Sequence, residues 1–275
     1  MTDVLVAASF DDLRSRHVRQ LHEASRHGPV HVLLYSDALF ESAAGRPSKF
    51  PLDERKYFLE SLKVVDRVTP IDAVAAGIAA AAAEATDVVG ALAGTADDAR
   101  VEAAFRQHNV ACRAIPDEQL AGFPIDGALQ SSAATANENR PKVIVTGCYD
   151  WFHSGHIRFF EEAAAVGELH VVVGHDANIE LLKGAGHPMY REDERRYMVA
   201  AVRFVHAAYV STGHGWLDAE PEIAQIKPDI YVVNEDGDKP EKREFCASHG
   251  IEYRVLTRRP KAGLPTRQST DLRGF

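Results

Sequence analysis

Two histidines three residues apart, His153 and His156, stand in the segment Thr146-Gly147-Cys148-Tyr149-Asp150-Trp151-Phe152-His153-Ser154-Gly155-His156. The apolar run Val143-Ile144-Val145 precedes it, and Ile157-Arg158-Phe159-Phe160-Glu161-Glu162-Ala163 follows with helical period. The imidazoles therefore belong where a strand ends and a helix begins. Backbone N–H groups at such an end lack intrahelical partners, and the helix dipole there favours negative charge. Phosphates bind at these places. Gly147 and Gly155 carry no Cβ, so backbone can approach a ligand closely. The chemistry implied is phosphate binding by two neutral-to-cationic imidazole donors, with Asp150 orienting the loop or a histidine. Metal is the competing reading of a His-x-x-His pair. Zinc wants three or four ligands, and no His-Glu-x-x-His or paired Cys-x-x-Cys is present, so no metal ligand set is expected here.

The elements that must position this segment come from a repeat. Phe10-Asp11-Asp12-Leu13-Arg14-Ser15-Arg16-His17-Val18-Arg19 aligns with Tyr149 to Arg158 at an offset of 139 residues. The alignment continues ungapped to Val32–Asp37 over Val171–Asp176, and Asp53–Tyr57 covers Asp193–Tyr197 one residue later in register. The chain thus reads as two copies of one fold. Each half alternates apolar strand runs with helical stretches, which predicts βαβ units and a parallel sheet. In the second half strands are predicted near 142–147, 169–175, 206–210, 229–234 and 252–257. Ala75 to Ala85 is nearly all alanine and predicts a packing helix. Residues 127–141 are small, polar and unpatterned and read as a linker between domains 1–126 and 142–275. Ligands of parallel sheets bind outside the carboxyl ends of strands, where His153, Asp176 and Asn234 are expected to gather.

Gly147 to His156 resembles the signature of the cytidylyltransferase-like nucleotidyltransferases, among them the phosphoethanolamine, phosphocholine and glycerol-3-phosphate cytidylyltransferases. The resemblance runs from Lys142 to Gly274. Lys183-Gly184, seven residues after Asp176, is similar to the family's phosphate-binding Lys-Gly. Arg191 to Tyr197 resembles the Glu-Arg-Tyr helix start that follows, and Ser269-Thr270-Asp271-Leu272-Arg273 resembles the family's Ser-Thr motif near the C-terminus. The fold implied is α/β, two tandem Rossmann-like parallel-sheet nucleotidyltransferase domains packed as a pseudo-dimer, with a homo-oligomer also possible. The resemblance implies His153, His156 and Lys183 as catalytic groups. It implies nucleotide contacts from Gly147, Cys148, Tyr149, Asp150, Gly155, Asp176, Arg195 and Asn234. Ser269 and Thr270 would grip the β- and γ-phosphates, Cys148 would act through its backbone, and Arg195 would serve as an ion pair or a phosphate contact. Two departures bear on the substrate: the glycine of a Gly-Asp motif near Asn234 is missing, and Gln268 stands where a hydroxyl residue is common.

The expected reaction is transfer of CMP from CTP to a small phosphorylated alcohol, phosphoethanolamine-like, with release of pyrophosphate and Mg2+ accompanying the triphosphate. An ionised acceptor phosphate needs no general base; the enzyme must align it with the α-phosphorus and disperse charge. Alternatives are an adenylyltransferase using ATP and a regulator that binds nucleotide without turnover. An aminoacyl-tRNA synthetase is disfavoured, because no Lys-Met-Ser-Lys-Ser segment is present. The first copy has Arg14 for His153, Arg16 for Gly155 and Ala44 for Lys183, so it is expected to be catalytically inactive. Arg14, Arg16 and Arg19 leave a regulatory anion site as a secondary expectation.

Composition narrows the rest. The 275 residues suit two domains, and no apolar run is long enough to span a bilayer. The net charge of −9 argues against nucleic acid, which demands a basic footprint. Residues 1–139 hold 13 Lys and Arg against 20 Asp and Glu, whereas the remainder holds 18 against 20. Basic residues outnumber acidic ones within 239–273, as phosphate binding requires. Three cysteines without framework spacing, and Met1-Thr2-Asp3 leading straight into Val4 with no basic n-region, set a cytoplasmic location as the expectation.

Overall fold

The computed structural model describes residues 2–94, 98–129 and 140–268. The chain divides into two compact units, 1–123 and 124–275, each with its own parallel sheet. The first unit contains β1 (Asp3–Ala8), α1 (Ser15–Ser25), β2 (Val30–Tyr35), α2 (Asp37–Ala44) and α3 (Leu52–Glu60). It continues with β3 (Arg67–Ile71), α4 (Val74–Glu84), β4 (Val88–Leu92), α5 (Asp98–Gln107) and β5 (Ala111–Ala114). Its strands lie in the order β3-β2-β1-β4-β5, all neighbours parallel.

The second unit repeats this plan. It contains β6 (Lys142–Gly147), α6 (Ser154–Ala164), β7 (Glu168–Val173), α7 (Asp176–Lys183) and α8 (Glu192–Ala200). Then come β8 (Ala207–Val210), α9 (Glu220–Ile226), β9 (Ile230–Asn234), α10 (Pro240–Ser248) and β10 (Glu252–Leu256). The sheet order β10-β9-β6-β7-β8 is the first unit's order read from the other edge. All five strands fall within two residues of the sequence prediction.

The inner strands are mostly apolar, as expected of parallel strands covered on both faces; every residue of β2, His31 included, is buried. The alanine-rich α4 packs Val74, Ile78 and Ala81 against Leu5, Leu33 and Phe105. In the second unit Ile144, Val172, Tyr231 and Val233 meet Ile223 and Ile226 of α9. The order places a topological switch between β6 and β9, where crossovers depart in opposite directions and open a crevice at the carboxyl ends. Among the described residues no helix is long and apolar enough to cross a membrane.

One arginine braces each unit. Arg195 is 1% exposed and donates through Nε to the Tyr190 carbonyl at 2.9 Å, through Nη1 to the Cys148 carbonyl at 2.7 Å, and through Nη2 to Asp176 at 2.7 Å. Arg55 repeats this, donating to the Phe50 carbonyl (2.8 Å), the Ser9 carbonyl (2.6 Å) and Asp37 (2.6 Å). Asp150 accepts the Met189 and Tyr190 amides at 2.9 and 3.0 Å, as Asp11 accepts those of Lys49 and Phe50 at 2.6 and 3.1 Å. Tyr149 and its counterpart Phe10 both hold left-handed backbone, at φ +54° and +49°, a conformation disfavoured for bulky side chains. Removing one partner of a buried, hydrogen-bonded ion pair leaves the others unsatisfied. Arg195→Met is therefore expected to lower the second unit's unfolding free energy by about 3 kcal/mol, measured by urea denaturation. A loss below about 1 kcal/mol, the range of an exposed pair, would show that the brace is not structural.

Candidate active site

The turn from β6 into α6 carries the paired histidines. His153 is the N-cap of α6, and its Nδ1 accepts the Gly155 amide at 3.1 Å. The His153 amide in turn donates to Nδ1 of His156 at 3.3 Å. This reciprocal cap satisfies two amides that the helix start would otherwise orphan. It also fixes chemistry: with Nδ1 accepting, each neutral imidazole carries its hydrogen on Nε2. The two rings stack with centroids 4.0 Å apart, and His156 is further held by Phe152 (5.4 Å, stacked) and the edge of Tyr149 (5.4 Å).

The glycines are explained by these rings. A Cβ on Gly155 would lie 2.9 Å from Cε1 of His153, and one on Gly147 would lie 2.8 Å from Cζ of Tyr149. Their immediate role is to admit the site's own aromatic side chains. In the first unit, where Arg14 has replaced the histidine, the position of Gly155 tolerates Arg16. His17 there keeps the capping bond, accepting the Arg14 amide at 3.1 Å, and an edge contact with Phe10 at 5.7 Å.

A cavity of about 230 Å³ opens at the carboxyl ends of β6 and β9. It is lined by the predicted Gly147, Cys148, Tyr149, Asp150, His153, Gly155, His156, Lys183 and Asn234. Asp176 and Arg195, expected as nucleotide contacts, are not among its lining residues; their side chains pair with each other at 2.7 Å in the brace. Asp150 borders the cavity but spends its carboxylate on the Met189 and Tyr190 amides. Ser269 and Thr270 lie outside the described residues.

Sequence reading missed Arg258, Lys242 and Asp236, which also line the cavity. Arg258, two residues past β10, donates to Asp236 at 2.7 Å and to the Arg267 carbonyl at 3.0 Å. Lys242 of α10 donates to the Gly237 carbonyl at 3.3 Å. The signal available was the local basic excess combined with the rule that ligands sit beyond strand ends.

Burial favours the neutral form of both histidines, the neutral end of the neutral-to-cationic expectation. Burial, reinforced by Arg258 and Arg267, pushes the His153 pKa from 6.5 down to about 3. Burial, then His153, Arg258 and Lys183, holds His156 well below 6.5. Positive charge is supplied instead by Lys183, Arg258 and Lys242. In the first unit the arginines proposed for a regulatory anion are occupied: Arg14 pairs with Asp12 (2.8 Å), Arg16 with Asp117 (2.6 Å) and Arg19 with Glu23 (2.7 Å).

A parallel α/β sheet with a donor-rich cleft at its switch point is suited to phosphate, and comparison with known proteins gives the class. Residues 144–257 match the family described as cytidylyltransferase-like. A FAD synthase from Aciduliprofundum boonei is 37% identical over 118 residues, covering 42% of this chain and 76% of that protein. A FAD synthase from Thermococcus kodakarensis is 31% identical over 118 residues, covering 42% and 77% respectively. The bifunctional protein HldE of Pseudomonas fluorescens is 32% identical over 123 residues, 43% of this chain but 25% of that protein. The chain belongs to the cytidylyltransferase-like family and is a nucleotidyltransferase. These relatives are named for FAD and HldE activities rather than for phosphoethanolamine, so the narrower resemblance is not carried forward.

Unfolded His153 titrates near 6.5 and the folded group near 3, so the unfolded chain binds more protons below neutrality. Its contribution to stability is full above pH 6.5 and is lost as pH falls from there towards 3, at about 1.4 kcal/mol per unit. Denaturation between pH 7 and 5 should therefore show a shallower pH slope in His153→Gln than in the parent; equal slopes would mean that His153 is not buried neutral.

Proposed function

We propose that the second unit transfers a nucleotidyl group from a nucleoside triphosphate to the phosphate of a small phosphorylated acceptor, with ATP as the favoured donor. The observation that carries this reading is the stacked, reciprocally capped histidine pair bordering a cavity with Lys183, Arg258 and Lys242. An acceptor phosphate oxygen forms a bond to the α-phosphorus as the bond from that phosphorus to the β-phosphate oxygen breaks, and the electron pair leaves with pyrophosphate. The Nε2–H groups of His153 and His156 donate to the α-phosphate as negative charge shifts to the leaving group. Their donor geometry is set before substrate arrives, because each ring is held by its Nδ1.

The donor preference rests on the relatives named FAD synthase, whose product contains an adenylyl group. CTP, the sequence-based expectation, is the competing outcome. Asp236, more than half exposed and paired with Arg258 at 2.7 Å on the cavity wall, is suited to hold magnesium beside the phosphates. The ion would neutralise charge on the β- and γ-phosphates when bound. The first unit is read as inactive, since it lacks counterparts of His153, Gly155 and Lys183.

The test is pyrophosphate release by the full chain with magnesium, ATP or CTP, and flavin mononucleotide, phosphoethanolamine or a sugar phosphate as acceptor. Release with ATP and one acceptor is expected, and His156→Ala should lower kcat by about 10²- to 10³-fold. Release with CTP alone moves the assignment to cytidylyl transfer. Nucleotide binding without release from any pair would replace catalysis with nucleotide sensing.

A further inference from the structure

At the opposite end of the second sheet, Glu168 and His170 at the start of β7 meet His206, the residue before β8. Nε2 of His170 lies 3.2 Å from Oε1 of Glu168, and Nε2 of His206 lies 3.3 Å from the same oxygen. The three ligand atoms all fall within 4.8 Å of one another. Zinc bonds of about 2.0–2.2 Å arranged tetrahedrally separate neighbouring ligand atoms by about 3.3–3.5 Å, so the spacing already approximates a coordination triangle. Two imidazoles and one carboxylate are an established zinc donor set. Nδ1 of His170 lies 3.2 Å from the Tyr209 hydroxyl, the kind of outer partner that fixes a ligating ring. His170 is buried, while the His206 and Glu168 side chains are 23% and 15% exposed, leaving an approach from solvent.

Hydrogen bonds alone could produce these spacings, and the first unit separates the two readings. His31 of β2 occupies the place of His170 and pairs in register with Arg67, as His170 pairs with Ala207. The Arg67 guanidinium lies 2.9 Å from Nδ1 of His31 and 2.9 Å from Glu84. At this edge the first unit sets a covalently attached cation between an imidazole and a carboxylate. The second unit has alanine at the arginine's register position and instead converges a carboxylate and two imidazoles.

We propose that Glu168, His170 and His206 bind a divalent first-row transition ion, zinc by preference, which ties the edge strand β8 to β7. The site is structural: along β7 it is removed from the carboxyl-end cavity by about 16 Å of strand. Ligands at 168, 170 and 206 match no local motif, because a strand pairing rather than a helical turn brings them together.

The experiment is calorimetric titration of chelator-stripped full-length chain with Zn(II), with Co(II) absorption reporting geometry. The expected result is one equivalent bound, a tetrahedral Co(II) spectrum, and slower amide exchange in 207–210. His206→Ala and Glu168→Gln should each weaken that binding by roughly 100-fold or more and abolish the exchange effect, whereas His156→Ala should leave both intact. The proposal is overturned if the parent binds no ion, or if binding is unchanged in either substituted chain that remains folded. Since the readout is metal binding, it stands or falls independently of nucleotidyl transfer.

Discussion

A single buried guanidinium holds the histidine-bearing turn in place. Arg195 collects two carbonyls and a carboxylate from three chain segments: the loop after β6, the loop before α8 and the start of α7. Each acceptor lies where a loop must stop and turn, so one planar group sets three departures at once. Lysine, with a compact charge, could not reproduce the fork. The left-handed Tyr149 follows directly on the Cys148 carbonyl that Arg195 grips, and His153 caps α6 four residues later. The histidine geometry is thus downstream of the brace.

The duplicated unit distinguishes frame from chemistry within one chain. Arg55, Asp37, Asp11 and the left-handed Phe10 retain the brace, the loop anchor and the turn. Three cavity-lining groups differ: His153, Gly155 and Lys183. This comparison also explains why Asp176 and Arg195 look like site residues in sequence while pointing at each other in space.

Much of the architecture was readable beforehand because parallel strands are short apolar runs bounded by turns, and the repeat doubled every signal. The histidine turn was readable because all its parts lie within eleven consecutive residues. Arg258 and Asp236 were not, since β9 and β10 bring them to the cavity from elsewhere in the chain. Charge state was equally hidden: two histidines beside arginines read as candidate cations until burial is known. The family resemblance located the reaction class, but its choice of base and acceptor depended on loop residues where this chain departs from the pattern.

On the proposed function, the neutrality of the histidine pair divides the labour of handling a polyanion. Long-range attraction belongs to Lys183, Arg258 and Lys242, groups whose fields fade over about 8 Å at physiological ionic strength. Final orientation belongs to uncharged N–H donors fixed by backbone amides, whose reach is a single contact and which salt hardly screens. Ionic strength can therefore govern how often a triphosphate enters without altering how it lies once seated. Encounter and alignment become separately adjustable, one by the composition of the surrounding solution and the other only by substitution in the turn itself.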